Sequence, residues 1–306
     1  MSADRLRHDM LVHTGEDEFV GRIAPFLLAG VAAGESVLAV SGPGTRAALR
    51  DELGSDREHV TFIDADTVYV RPEAALASYD RTLRALADDG ARGIRGVAVL
   101  PDCDTVADWQ RWIAYEAIVN RALAHHPAWI VCAYDTSVVD PAVVADMRRT
   151  HPEVAGDDAC GCHAYEDPAD VVRATAPPAA PAPLAALRPL APAADAPQFR
   201  AHLAAAMEAA GVARDRTRDM LLAAGEVFSN ADRHGGGLRD ARAGVVDGRF
   251  VCELSDHGPG IADPLTGYLP PHDGADGGFG MWVARQATER MDLLADPAGL
   301  TVRLWI

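Results

Sequence analysis

The sequence predicts two domains of different fold class, an α/β layered domain followed by an α+β domain. A chain of 306 residues is about twice the usual length of one domain. The segment Ala174–Pro197 consists largely of Ala and Pro, with seven prolines, and separates two stretches of ordinary composition. Before this segment short β-rich runs alternate with helical runs, whereas after it two helices precede a hairpin.

The first domain is predicted to span residues 1–173 and to contain a mostly parallel sheet covered by helices. After an opening strand that carries His8 and His13, the strands are continuous apolar runs, as buried parallel strands usually are. These runs are Ser36–Val40, Val60–Ile63, Gly96–Leu100 and Trp129–Ala133. Helical spacing of apolar residues lies between them, at Glu16–Leu28, Thr45–Leu53, Pro72–Ala87 and Val106–Ala124.

Residues 174–185 are predicted to be an interdomain linker, because repeated prolines interrupt helices and favour extended backbone. The second domain then spans residues 186–306, with a first strand at Ala186–Leu190. Its other elements are helices at Pro197–Ala210, Arg214–His234 and Gly280–Arg290, and strands at Ala241–Val246, Arg249–Ser255 and Leu300–Ile306. The dipeptide Asp247–Gly248 favours a tight hairpin turn. Helices grouped against an antiparallel sheet make an α+β sandwich.

The charge balance excludes several classes of function. Acidic residues number 45 and basic residues 28, for a net charge of −17, and every basic residue is Arg. Without lysine the chain cannot form a P-loop, a Schiff base or a pyridoxal phosphate site. Any phosphate that it binds must be neutralised by Mg²⁺, by Arg or by backbone N–H groups at a helix N-terminus. The acidic balance also argues against nucleic acid and anionic membranes as partners.

The sequence favours a cytoplasmic location. The longest uncharged apolar stretch near its start, Ile23–Gly34, is too short to span a bilayer. The polar opening, residues 1–10, does not have the pattern of a signal peptide. Five cysteines, odd in number and mostly scattered, fit a reducing compartment better than a disulfide framework.

Three motifs in the second domain carry the chemistry. In the first, Glu226 and Asn230 are four residues apart on one helix face, with His234 one turn further on. A carboxylate and a carboxamide so placed can orient a hydroxyl and hold Mg²⁺. Taken alone, this motif is better explained as a solvated polar face.

The second motif is Asp256–Gly260 after a strand, where a carboxylate can accept a hydrogen bond from an adenine amine; an acidic turn explains it equally well.

The third motif is Gly277–Trp282 at the head of a helix. Glycines before a helix N-terminus offer N–H groups and the positive end of the helix dipole to phosphates. Alone they are also an ordinary helix start. The three motifs together, in this order and spacing, favour a nucleotide site, and Arg233 or Arg285 is a candidate for the remaining positive charge.

These motifs resemble the N, G1 and G2 boxes of the GHKL ATPase superfamily over about residues 186–306, most closely those of bacterial anti-sigma-factor serine kinases. The resemblance implies a Bergerat-type sandwich that binds Mg-ATP, with Glu226 as general base, Asn230 as Mg²⁺ ligand, Asp256 reading adenine and a lid at Ala262–Asp276. The further residues that it places at the nucleotide are His234, Gly258, Gly260, Gly278 and Gly280. Histidine kinases share these boxes, but the helical hairpin that carries their phosphorylated His is replaced here by the Ala/Pro segment and one short helix.

In the first domain, the helix Trp109–Leu123, the strand Trp129–Asp135 and the segment Thr150–Pro152 resemble the MEDS sensory domain, a degenerate relative of RecA/KaiC-type folds, over about residues 8–165. This resemblance implies sensing or protein interaction. The candidate ligand-pocket residues are Tyr115, Glu116, Tyr134 and Asp135. The segment Ser41–Thr45 is interpreted as a turn and helix start, with anion binding as the alternative. The remaining features are interpreted as structural or solvated rather than metal-binding: His8, His13, Asp102, Asp104 and Cys160–His163 with His151.

Together the two domains resemble the RsbA family of anti-sigma regulators. The resemblance implies a cytoplasmic switch that sequesters an alternative sigma factor and phosphorylates Ser or Thr of a STAS-type anti-sigma antagonist, and it allows a homodimer. Two alternatives stay open, a non-catalytic nucleotide-dependent binding switch and an atypical histidine-kinase-like signalling protein.

Overall fold

The computed structural model describes residues 5–101, 103, 105–155, 163–176, 184–268, 279–296 and 298–306. The chain forms two compact units, Met1–Thr175 and Ala176–Ile306. Several predictions fall outside the described residues: those on Asp102, Asp104, Cys160, Cys162, Gly277 and Gly278, and those on most of the linker and the lid.

The first unit is built on a parallel sheet. Its strands are β1 (Arg7–His13), β2 (Ser36–Ser41), β3 (Val60–Asp64), β4 (Ile94–Val99), β5 (Ala128–Asp135) and β6 (Glu153–Val154). Its helices are α1 (Gly15–Ala33), α2 (Pro43–Leu53), α3 (Ala65–Val68), α4 (Pro72–Asp88), α5 (Val106–Ala122), α6 (Pro141–Arg148) and α7 (Pro168–Thr175). The strand order is β3-β2-β4-β5-β1-β6, and the strand pairs are parallel. The predicted α/β class is confirmed.

Helix α1 shows why these residues fold as they do. Phe19, Ile23 and Leu27 recur every four residues, so that they lie on one helix face. That face is buried against strand residues such as Ala39 and Val131. The helix ends where Gly34 adopts a left-handed conformation with φ of 69°, which glycine reaches without strain.

Three helices of this unit, α3, α6 and α7, were not predicted. Helix α3 begins after Asp64, whose side chain accepts a hydrogen bond from the Asp66 N–H, and α6 begins in the same way after Asp140. All three are short, and helices of four and eight residues contain too few turns to show an apolar period in the sequence.

The second unit is built on an antiparallel sheet. Its elements are β7 (Arg188–Pro189), α8 (Ala196–Ala209), α9 (Arg214–His234), β8 (Leu238–Val246), β9 (Arg249–Asp256), α10 (Phe279–Ala287), β10 (Arg290–Asp296) and β11 (Gly299–Trp305). The strand order is β10-β11-β9-β8-β7. The predicted hairpin is present, since Val246 pairs with Arg249 and both turn residues, Asp247 and Gly248, have positive φ.

One element of this unit was predicted wrongly. The helix expected at Gly280–Arg290 ends at Ala287, and the residues from Arg290 onward form β10, which pairs with β11. Consecutive leucines at 293 and 294 break the alternation that would mark a strand. The buried Asp292 is held by the Trp305 indole N–H at 3.0 Å, a contact across the sheet that the local sequence does not show.

Helices α8 and α9 pack on this sheet through a shared apolar core. The rings of Phe199 and Phe228 stack at 4.9 Å between centroids, and Met220, Leu254 and Leu304 belong to the same cluster. None of the helices in the described part of the chain combines the length and apolar character that a membrane span requires.

A buried ion pair joins two neighbouring strands of the sheet. Arg303 on β11 is the register partner of Glu253 on β9, and its Nε donates to Glu253 Oε2 at 2.7 Å. Both side chains are less than a tenth exposed. A buried ion pair adds little by itself, but removing one partner leaves the other charge uncompensated.

We therefore expect the substitution Arg303→Gln to lower the free energy of unfolding by about 3–5 kcal/mol. The measurement is urea denaturation of the full chain, with amide hydrogen exchange assigning the loss to β9 and β11. The matched control is Arg218→Gln on the exposed side of α9, which should change stability by less than about 0.5 kcal/mol. Equal effects of the two substitutions would contradict the proposed importance of the pair.

Candidate functional site

The polar face of α9 carries the first predicted motif. Glu226 and Asn230 lie one turn apart and are half-buried, while His234 at the end of the helix is exposed. The opposite side of α9 is buried through residues such as Met220 and Val227, which recur at helical spacing. Core packing of that side therefore fixes the direction in which Glu226 and Asn230 project.

The first turn of α10 lies against this polar face. A Cβ atom added to Gly280 would be 2.6 Å from Glu226 Oε2 and 3.5 Å from Asn230 Nδ2. A larger residue there would force the Glu226 carboxylate to move, and with glycine the backbone at the start of α10 approaches both side chains directly. A carboxylate, a carboxamide and a helix N-terminus thus meet at one place, where the helix dipole favours a bound anion.

The second motif is held at the other end of α9. Asp256 Oδ1 accepts hydrogen bonds from the backbone N–H groups of Gly258, at 2.9 Å, and Leu300, at 3.1 Å. A Cβ on Gly235 would be 2.5 Å from Asp256 Oδ2, and the His257 N–H donates to Gly235 O at 2.9 Å. The loop after β9 is therefore packed directly against the C-terminal exit of α9.

The two groups of residues are separated along the helix axis. From Glu226 to Gly235 the rise of α9 is about 14 Å, at about 1.5 Å per residue. The half-buried Asp256 carboxylate lies at one end of this distance and the α10 N-terminus at the other. The arrangement suits an extended ligand with a hydrogen-bonding ring at one end and negative charge at the other.

The residues at the start of the predicted lid are anchored to α10. Gly267 has a φ of 81°, and a Cβ there would be 2.9 Å from the backbone of Met281. The guanidinium of Arg285 lies 3.7 Å from the ring centroid of Tyr268 and is buried. Arg285 is therefore a packing residue of this segment, whereas Arg233 is exposed on α9.

The structure thus brings Glu226, Asn230 and Gly280 together and places Asp256 and Gly258 beside the end of α9. Gly260, with a φ of 84°, continues the same loop. Gly278 lies outside the described residues. The roles given to all of these residues remain predictions.

Two of the candidate pocket residues of the first unit share a cavity. Tyr134 and Asp135 end β5 and line a space of about 330 Å³ with His13, Gly42 and Leu100, which follow or end neighbouring strands. In parallel sheets this edge, at the carboxyl ends of the strands, is where ligands usually bind.

Asp135 is ionised in this cavity. Partial burial raises the pKa of Asp135, but hydrogen bonds from Ser137 and from the Gly15 N–H outweigh this effect and lower the pKa below its usual value. The other two candidates lie elsewhere. Tyr115 packs edge-on against Trp112 and Tyr69, and Glu116 is fully buried beside His8.

Sequence reasoning missed the surroundings of Glu116. His8, Cys132 and His151, from three distant parts of the chain, place their polar atoms beside its carboxylate. No spacing in the sequence marks this set, because its members lie on different elements. The sequence offers one indication: each member is a residue type that can bind metal, and each lies in or beside a strand or helix with a buried face.

Comparison with known families agrees with this geometry. Residues 7–152 match the family described as "MEDS: MEthanogen/methylotroph, DcmR Sensory domain", and residues 189–306 match the family described as "Histidine kinase-like ATPase domain". A search of curated proteins found no match to the chain. The two family matches indicate a nucleotide-binding signalling regulator with a kinase-like ATPase domain.

The close approach at Gly280 yields a direct test of the site. We expect Gly280→Ala to weaken ATP binding by about tenfold, because the added Cβ would displace the Glu226 carboxylate from its position at the start of α10. Isothermal titration calorimetry of the full chain with Mg-ATP measures this. The control is Gly225→Ala, one residue before Glu226, where the new Cβ meets only Arg200 at ordinary contact distance. Unchanged ATP affinity of Gly280→Ala would place the nucleotide elsewhere.

Proposed function

We propose that this protein is an anti-sigma regulator of the RsbA type, which binds Mg-ATP, sequesters an alternative sigma factor and phosphorylates Ser or Thr of a STAS-type anti-sigma antagonist. In this proposal a MEDS-type sensory domain, residues 1–173, with a degenerate RecA/KaiC-like fold, modulates a Bergerat-type ATPase domain, residues 186–306, across the Ala/Pro linker. The protein acts in the cytoplasm on protein partners rather than on nucleic acid or membranes.

One observation carries the ATP site: the backbone at the N-terminus of α10 lies against Glu226 and Asn230 in a chain without lysine. Phosphate binding then depends on helix N–H groups and on a bound cation. Carboxylate and carboxamide oxygens are the donors that Mg²⁺ prefers, and both are present on one half-buried helix face. Asn230 would hold Mg²⁺, which supplies positive charge to the phosphates.

Phosphotransfer needs a base as well as positioned charge. We propose that Glu226 accepts the proton of the Ser or Thr hydroxyl of the substrate. The hydroxyl oxygen bonds to the γ-phosphorus of ATP, and the bond from that phosphorus to the ADP oxygen breaks. Glu226 is suited to this role because it lies beside the helix N-terminus at which the phosphates are proposed to bind. Catalysis would then consist mainly of positioning and charge neutralisation.

Glu226 separates the kinase from a simple binding switch. We expect Glu226→Gln to retain ATP binding and to lower phosphotransfer to the antagonist by about 10²–10⁴-fold. The assay uses radiolabelled ATP and a STAS-type protein from the same genome, with Asp232→Asn, exposed on the same helix, as the matched control. Unchanged phosphotransfer would exclude Glu226 as the base. A wild-type protein that binds ATP without phosphotransfer would be a binding switch, and an acid-labile phosphohistidine would indicate a histidine kinase.

Asp256 provides an independent test of the base end of the ATP site. In Asp256→Asn the side-chain oxygen can still accept from Gly258 and Leu300, but the second carboxylate oxygen becomes an amide donor. We expect ATP affinity to fall by about 10–100-fold, the value of one hydrogen bond to a charged group. Inosine triphosphate, which has a carbonyl in place of the amine, should bind the wild type weakly and should lose little in the variant. Asp247→Asn in the distant hairpin turn is the control, and equal losses for both nucleotides would contradict adenine recognition by Asp256.

A further inference from the structure

A closed cluster of four metal-ligating residues lies inside the first unit. Its members are His8 on β1, Glu116 on α5, Cys132 on β5 and His151 after α6. All four are buried, with residue exposures of 4% or less. Their ligand atoms all lie within 4.8 Å of one another. The proposed ATP site uses none of these residues.

The ring orientation of His151 directs an unprotonated nitrogen into this cluster. Its Nδ1 lies 2.8 Å from the carbonyl oxygen of Met147, and since a carbonyl can only accept, Nδ1 carries the hydrogen. Nε2 then has a free lone pair, and in the described structure it is buried without a hydrogen-bond partner. It faces Glu116 Oε2 at 3.6 Å, so two atoms with lone pairs face each other in the buried interior.

His8 is oriented in the same way. The amide nitrogen of Asn120 donates to the carbonyl oxygen of Thr150 at 2.7 Å, which leaves its Oδ1 facing His8 Nδ1 at 3.1 Å. His8 Nδ1 is therefore the donor to Asn120. The other ring nitrogen, Nε2, lies 3.1 Å from Glu116 Oε2 and 3.2 Å from Cys132 Sγ.

A single proton cannot satisfy both imidazole nitrogens. A proton on His8 Nε2 or on His151 Nε2 bridges that nitrogen to Glu116 Oε2 and leaves the other nitrogen without it. A cation at the centre would satisfy all four ligand atoms at once.

We propose that His8, Glu116, Cys132 and His151 bind a divalent transition metal ion, with Zn²⁺ the best match to this ligand set. Two imidazoles, a carboxylate and a thiolate carry two negative charges, which equal the charge of the ion, and these ligand types suit borderline-soft metals. The Cys132 thiol releases its proton to solvent when the Sγ–metal bond forms. Both histidines donate Nδ1–H to an oxygen, the outer contact that orients metal-ligating imidazoles.

The distances between ligand atoms fit tetrahedral coordination. Regular tetrahedral zinc bonds of about 2.0–2.3 Å place neighbouring ligand atoms about 3.3–3.8 Å apart. Four of the six separations are close to this range: His8 Nε2 lies 3.1 Å from Glu116 Oε2 and 3.2 Å from Cys132 Sγ, and Glu116 Oε2 lies 3.6 Å from both Cys132 Sγ and His151 Nε2. The other two separations, from His151 Nε2 to His8 Nε2 and to Cys132 Sγ, are at most 4.8 Å. An ion would therefore enter with only small side-chain movements.

One ligand residue of the cluster also borders a cavity. His8 and Asn120 line an open cavity of about 620 Å³ together with Arg7, Glu153 and Tyr165. The four ligands come from four segments that are distant in sequence, so a bound ion would join them within the core. Metal binding would then stabilise the fold of this unit.

The test is metal analysis of the purified full-length chain. We expect about one tightly bound Zn²⁺ per chain by inductively coupled plasma mass spectrometry. After removal of zinc with a chelator, Co²⁺ should produce the intense visible absorption of a tetrahedral ion and a thiolate charge-transfer band. Cys132→Ser should abolish that band and weaken Zn²⁺ binding by more than about 100-fold. The zinc content and the Co²⁺ spectrum are measured on the wild-type chain. They test the proposal even if Cys132→Ser fails to fold.

Two control variants identify the site. Cys252→Ser removes an equally buried cysteine from the second unit and should leave the metal in place. Asp80→Asn disrupts the other group of candidate ligands, formed with His125 and His126, and should also have no effect. Metal that is retained in Cys132→Ser but lost in Asp80→Asn would overturn the assignment. A folded wild type without zinc, whose Co²⁺ spectrum lacks a thiolate band, would overturn the site altogether.

Discussion

The proposed ATP site of the second unit depends on the contact between the first turn of α10 and the polar face of α9. Gly280 has no side chain, so backbone rather than a Cβ atom lies next to Glu226 and Asn230. In a chain without lysine, helix N–H groups, arginines and a bound cation are the available sources of positive charge for phosphate. A helix N-terminus beside a carboxylate and a carboxamide provides two of these three. The proposed ATP site therefore depends on a packing distance as much as on its polar residues.

The sheet supports this contact from the other side. Asp256 ends β9, and two backbone N–H groups hold its Oδ1, while the exit of α9 closes over its Oδ2. The same helix thus positions Glu226 and Asn230 at its middle and adjoins Asp256 at its end. A rigid helix between the two groups keeps their spacing constant, which a ligand of fixed length requires.

The first unit handles buried polarity in a different way. Its core contains a carboxylate, a thiol and two imidazoles, groups that are costly to bury unless they are paired. Carbonyl and amide oxygens orient both imidazoles so that their remaining nitrogens converge on Glu116. Apolar packing alone would not favour buried imidazole nitrogens that face a carboxylate, whereas the proposed cation at the centre would bind all of them. The cavity at the strand ends, which Tyr134 and Asp135 line, adjoins this cluster, since the Tyr134 ring packs edge-on against His151 at 5.9 Å between ring centroids.

Much of the fold could be predicted from the sequence because its elements carry strong periodic signals. Strand β5 is a continuous apolar run, α1 repeats its apolar residues every three to four positions, and the Asp247–Gly248 pair marks its hairpin. Helix α6 and strand β10 could not be predicted in this way. Helix α6 is too short to show a period, and β10 acquires its strand character from its pairing with β11 and from the contact between Asp292 and Trp305.

The sequence by itself determined the two-domain organisation, the type of each sheet and the spacing of Glu226 and Asn230, since all of these depend on neighbours along the chain. Only the tertiary structure decided that Gly280 touches Glu226, that Gly235 packs against Asp256, and that His8, Glu116, Cys132 and His151 share one buried centre. The physical reason is that these contacts join residues from different elements. Their distances follow from how helices and strands pack, which local periodicity does not encode.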